Sequence, residues 1–220
     1  MKQFILVIFL LFNSLSSFAN TKNEINEDNP DEKRTFKIRI LEEKVPAPDD
    51  IPIFNESNEK VFLEQFEGKT MLLTFWASWC APCAKEIPEL DILKKDFRKL
   101  NIEFVTVSTD YQGINAAKQF YESNEIRNLA VFHDYKNELF KAMEVRGLPT
   151  NFIIDSEGFV RAIIEGSVNW YDEEMRAFLL EYIDGNPAMP KNSFKDRSLN
   201  NNVRPQKITK ENIENDEDKK

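Results

Sequence analysis

Phe75-Trp76-Ala77-Ser78-Trp79-Cys80-Ala81-Pro82-Cys83 decides the reading of this chain, because it holds both cysteines and joins an apolar run to a helical pattern. Upstream, Met71 to Trp76 is apolar, uncharged and too short for a helix, which suits a central strand buried on both faces. Downstream, Ile87, Leu90, Leu93 and Phe97 recur at spacings of three and four, so an amphipathic helix is expected to about Leu100. Lys94, Lys95, Arg98 and Lys99 near its end favour the negative pole of the helix dipole.

At this junction the C-x-x-C spacing puts Cys80 at the helix N-terminus and Cys83 one turn inside. Unpaired N–H groups and the dipole there favour a Cys80 thiolate, lowering its pKa below the roughly 8.5 of a free thiol. Cys83 faces inward and stays protonated until needed. Thiol-disulfide exchange follows: Cys80 attacks a substrate disulfide, and Cys83 then attacks the Cys80 sulfur to release the reduced substrate. Pro82 fixes the backbone of the first turn and limits the motion of the pair. Two other readings stay open at this point. A structural bridge would close too short a loop to stabilise much, and two thiolates, with His133, can bind copper. Zinc is disfavoured because two cysteines and a single histidine fall short of four ligands. One histidine also rules out a multi-histidine metal site or a Ser-His-Asp triad.

Glu86 lies three residues after Cys83, on the same helical face, where desolvation would raise its pKa and let it exchange protons with the thiols. Trp79 beside Cys80 is expected to form an apolar surface for substrate, Trp76 to pack at the strand end, Trp170 to cap the last helix, and His133 to sit in a loop.

Further out, Phe36, Ile38 and Ile40 alternate with Lys37 and Arg39 as in a half-buried strand, and Ile53 to Val61 reads as a hairpin around Asn55-Glu56-Ser57-Asn58. Phe62 to Phe66 reads as a short helical turn. Beyond the first helix come strands at 102–107, 129–132, 151–154 and 160–164, with helices at 113–123, 137–145 and 170–183. The alternation of strand and helix implies parallel pairing through crossovers.

The N-terminus has Lys2, an uncharged apolar run from Phe4 to Phe12 and a Ser17-Phe18-Ala19 ending, so residues 1–19 read as a signal peptide or membrane anchor. No cysteine near position 20 offers a site for lipid modification. Residues 20–35 and 186–220, rich in Asn, Lys, Asp and Glu, read as a disordered linker and a disordered tail around a domain at 36–185. The chain's net charge is −9, and because the flanking segments nearly cancel, the negative charge sits on that domain, which repels phosphate backbones and argues against a nucleic-acid partner.

The stretch Phe75 to Cys83 resembles the active-site strand and motif of the thioredoxin superfamily. Ala47-Pro48 and Glu86-Ile87-Pro88 narrow the likeness to exported thiol-disulfide reductases of the TlpA and ResA type, over about residues 47–185. The resemblance implies an α/β, thioredoxin-like fold with a central mixed β-sheet flanked by helices and an N-terminal β-hairpin extension. It implies periplasmic or other extracytoplasmic reduction of protein disulfides, with no cofactor or bound metal. The implied substrates are apocytochrome c or copper-site assembly proteins, and the electrons come from a membrane thiol donor. Residue by residue, Pro149 matches the cis-proline facing the cysteines, Leu148 would offer its backbone to substrate, Glu86 matches the proton-handling glutamate, and Pro88 the helix-kinking proline. Thr74 departs from cytoplasmic thioredoxins, many of which bury an aspartate there, and this shifts proton management to Glu86 or water. Rival functions are disulfide oxidation or isomerisation, and copper delivery of the Sco type, whose cysteines are spaced by three with a distal histidine. The Pro-x-x-x-Thr/Ser-x-x-Cys motif of peroxiredoxins is absent around Cys80.

Overall fold

The seven residues of β4 (Thr70–Trp76) are all buried, so this strand must be covered on both faces and paired on both edges. The computed structural model describes residues 36–183; the proposed leader, linker and tail lie outside them. In chain order its strands are β1 (Lys37–Pro46), β2 (Ile53–Phe54), β3 (Lys60–Val61), β4, β5 (Ile102–Ser108), β6 (Val131–His133), β7 (Thr150–Ile154) and β8 (Phe159–Glu165). The helices are α1 (Ala81–Asp96), α2 (Ile114–Ser123), α3 (Glu138–Ala142) and α4 (Glu173–Leu180), with a 3-10 turn at Leu63–Phe66.

One mixed sheet runs β1-β8-β7-β4-β5-β6-β2-β3. β4, β5 and β6 are parallel, as the crossovers require, whereas β7 and β8 return antiparallel on the other side of β4. Gly158, at φ 85°, makes the tight turn between β7 and β8 possible. The hairpin β2–β3 extends the β6 edge, and β1, the longer N-terminal strand, closes the opposite edge against β8.

Side chains alternate across each strand, so the sheet carries two cores. Leu72 and Trp76 of β4 pack with Cys83, Ile87, Leu90 and Leu93 of α1, Ala117 and Tyr121 of α2, and Phe178 and Leu179 of α4. Leu73 and Phe75 pack on the other side with Leu139 of α3 and Leu63 of the 3-10 turn. By the same parity Thr74 points to the α1 side, where it faces its register partner Asn151 of β7.

Three expectations need correction. His133 is not in a loop: it ends β6, is buried, and its Nε2 lies 2.8 Å from the Asp110 carbonyl oxygen. That oxygen only accepts, so Nε2 carries the proton. Trp170 does not cap the last helix. Asp172 does, accepting the Glu174 N–H at 2.8 Å, and the helix starts at Glu173 because residues 168–170 are held on α1 instead. The first helix stops at Asp96, capped by Phe97, rather than reaching Leu100. It runs on through Pro88, which leaves the Ala84 carbonyl without its usual N–H donor.

Candidate active site

The registers Trp76↔Ser108 and Ser108↔His133 align the carboxyl ends of the three parallel strands. The loops leaving those ends build the site. Cys80, with extended backbone, is the N-cap of α1, and its sulfur accepts the Cys83 N–H at 3.3 Å. Cys80 and Cys83 are joined in a disulfide with Cα atoms 5.2 Å apart. Cys80 keeps 6 % of its surface open and Cys83 none, so only the first sulfur can be approached from outside.

A cleft of about 530 Å³ opens over Cys80, lined by Trp79, Ala81, Pro82, Thr109, Asn137, Phe140, Gly147 and Leu148. None of these side chains is charged. Trp79 is 59 % exposed, so a large apolar surface stands beside the Cys80 sulfur. Leu148 leads into Pro149 across a cis peptide bond. Pro149 itself is buried, and its carbonyl accepts the Gly166 N–H at 2.9 Å.

One turn further along α1 from Cys83 the surroundings change from apolar to polar. Glu86 is 1 % exposed, and its Oε1 accepts from Asn151 Nδ2 at 2.7 Å and Trp170 Nε1 at 3.0 Å, while Oε2 accepts from the Val168 N–H at 3.1 Å. Thr74 Oγ1 donates to Asn151 Oδ1 at 2.6 Å, which orients the amide so that its NH2 group faces the carboxylate. Burial pushes the Glu86 pKa up to about 7; the three donors pull against that rise and neighbouring Glu89 adds to it. Glu86 can therefore hold or release a proton at neutral pH.

A second buried carboxylate was not singled out by the sequence. Asp110, in the loop after β5, accepts from Ser78 N at 3.0 and 3.1 Å, from Ser78 Oγ at 2.7 Å and from Ser108 Oγ at 2.7 Å. Thr109 N donates to the Trp76 carbonyl at 2.9 Å. Together these bonds clamp the turn that delivers Cys80. The only sequence signal was an aspartate just past a strand end, a common loop composition that does not name its partner.

The structure thus brings Trp79, Cys80, Pro82 and Leu148 together at one cleft, and places Cys83 and Glu86 behind them. Among the described residues, no group of three His, Cys, Asp or Glu side chains is arranged to hold a metal ion.

Residues 43–163 match the family model described as AhpC/TSA. The chain belongs to the AhpC/TSA family. Within this family its relatives include the thiol-disulfide oxidoreductase ResA of Bacillus thuringiensis subsp. konkukian, 32 % identical over 145 residues, which cover 64 % of this chain and 79 % of that protein. ResA of Bacillus subtilis is 31 % identical over 129 residues, covering 57 % and 71 % respectively. Among solved structures, the exposed lipoprotein thioredoxin Etrx1 of Streptococcus pneumoniae superposes with a TM-score of 0.53 at 26 % identity, over 61 % of this chain and 99 % of that one. A thiol:disulfide interchange protein of Chlorobium tepidum superposes with a TM-score of 0.53 at 25 % identity, over 62 % and 97 %. This AhpC/TSA member has the thioredoxin-like fold and is a thiol-disulfide oxidoreductase of the ResA type.

Proposed function

We propose that the protein works as a reductant of protein disulfides outside the cytoplasm, with Cys80 as nucleophile and Cys83 as resolving thiol. The observation that carries this reading is the asymmetry of the pair: the Cys80 sulfur at a helix N-terminus opens on an uncharged cleft, while Cys83 is fully buried, one helical turn before the buried Glu86. In the reduced protein, Cys80 thiolate attacks one sulfur of the substrate disulfide, and the other sulfur leaves as a thiolate that takes up a proton. Cys83 then loses its proton to Glu86 and attacks the Cys80 sulfur. The second substrate sulfur leaves as a thiolate and takes up a proton, so the substrate ends with two thiols and the protein keeps the disulfide. Two electrons have moved to the substrate, so an external dithiol must restore the pair.

Trp79, Pro82 and Leu148 form the substrate platform, and the backbone beside Pro149 offers an edge to an extended segment. The reducing direction rests on the resemblance of Phe75 to Cys83 and Glu86-Ile87-Pro88 to reductases of the TlpA and ResA type. The exposed location stated for the streptococcal relative, and the leader-like residues 1–19, support an extracytoplasmic site. On the same likeness, the substrates are disulfides of apocytochrome c or copper-site assembly proteins, and the dithiol is a membrane thiol donor. Equilibration with defined thiol buffers tests the direction. A reduction potential near the roughly −270 mV of thioredoxin is expected, and one near the roughly −120 mV of DsbA would reverse it.

A further inference from the structure

Glu86 is 1 % exposed, so a proton it takes from a thiol has to leave through a neighbour. Its hydrogen-bonding partners lead nowhere. Asn151 and Thr74 are buried between β7, β4 and α1, and neither an amide nor a hydroxyl titrates near neutrality. Trp170 Nε1 and Val168 N are donors without a lone pair to receive a proton. β4, β7 and the 168–170 segment therefore face Glu86 only with uncharged groups.

Within one turn of it on its own helix, the titratable groups are Cys83, with Cys80 bound to it, Lys85 and Glu89; Asp91, Lys94, Lys95 and Asp96 lie further along. The cysteines are the source of the proton. Glu89 lies three residues on, where side chains on a helix are neighbours at about 5–6 Å between Cβ atoms. It is half-buried, and so spans from the buried pocket to solvent. Both carboxylates grip Trp170: Glu86 through the indole N–H and Glu89 through the backbone N–H at 2.7 Å.

We propose that Glu89 is the proton exit of the site: Glu86 passes its proton to the Glu89 carboxylate, which releases it to water, and the reverse transfer recharges Glu86. The proposal rests on Glu86 as the acceptor of the Cys83 proton, and Glu89 acts through Glu86 rather than on the sulfurs. Burial raises the Glu89 pKa, offset in part by the Trp170 N–H and Lys85, which brings the two carboxyls closer in proton affinity and eases transfer in both directions.

Glu89→Gln is the discriminating variant, because an amide oxygen still accepts the Trp170 N–H while the titrating group is gone. Carboxyl carbon NMR of the oxidised full-length protein at pH 7 reads the rate at which Glu86 exchanges its proton. That rate is expected to fall about tenfold or more in Glu89→Gln, where the one titrating neighbour that reaches solvent is gone. Equal rates in the two proteins overturn the proposal. The NMR reading needs no substrate, so it stands apart from the direction of exchange. If wild type fails to reduce any disulfide while Glu89→Gln still slows Glu86, the exchange reading fails and the exit stands.

Discussion

The two sides of the Cys80–Cys83 disulfide are built on opposite principles. In front, a cleft lined by uncharged side chains exposes Trp79 and one sulfur. Behind, the second sulfur is buried in the core, and one helical turn on a carboxylate has three donors and almost no contact with water. The open apolar side gives area and shape for binding another chain but no means of moving a proton. The closed polar side cannot meet a substrate, yet desolvation there holds Glu86 near the protonation midpoint at neutral pH. Splitting the functions lets each side be optimised without spoiling the other: a charge at the mouth would repel part of the substrate range, and a wet pocket would return Glu86 to an ordinary acid.

Breaking the link between the two sides has the largest effect. Cys83→Ala leaves the front intact and removes the resolving thiol, so turnover should fall by roughly a thousandfold or more while the Cys80 mixed disulfide accumulates. Non-reducing electrophoresis after mixing the reduced variant with a protein disulfide checks this. Free turnover without a trapped species would mean that Cys80 does not need its partner.

A smaller effect isolates the back. A carboxyl whose pKa is about 7 when folded and ordinary when unfolded binds a proton in the native state that the unfolded chain has already released. Its stabilising contribution is therefore complete below about pH 4.5 and is lost as pH rises through 7, by up to about 3 kcal/mol. Denaturant titration of the oxidised protein between pH 4.5 and 8 should show this decline, and Glu86→Gln should remove it from the difference curve. Parallel curves for the two proteins would mean that Glu86 titrates alike in the folded and unfolded chain, with no shift from burial.

How far each side was legible follows from the range of the interactions that make it. The reactive rim of the front comes from neighbours in sequence: Trp79 to Pro82 form one run, and the strand-to-helix junction that presents them is visible in local periodicity, while Thr109, Asn137 and Phe140 are brought to the cleft by the fold. Even Pro149 could be placed by its motif. The helices and most strands were legible for the same reason, with ends displaced by a few residues where a cap decides the boundary, as Asp172 does for α4. The back is assembled across the fold. Glu86 was recognisable from its spacing to Cys83, but its partners Asn151 and Trp170 lie 65 and 84 residues away. Asn151 looked like an ordinary strand residue, and Trp170 looked like a helix cap. Thr74 was noticed only as a missing aspartate; the structure gives it a role as the hydroxyl that orients Asn151. His133 was misplaced because one residue beyond an apolar run reads equally well as strand end or loop, and burial decided it.

The smallest effect is expected at the front, from Trp79→Ala. The side chain is 59 % exposed, so removing it costs little folding stability and leaves Cys80, Cys83 and Glu86 in place. What it removes is apolar area at the cleft mouth, worth about 1–3 kcal/mol to a partner that buries it. The loss should therefore appear as a roughly five- to hundredfold fall in kcat/KM for a protein disulfide, carried by KM. A small disulfide that reaches Cys80 without covering the indole should react almost as before. Comparing the variant on both substrates separates recognition from chemistry, and an equal fall on both would place Trp79 with the reacting groups instead of the platform.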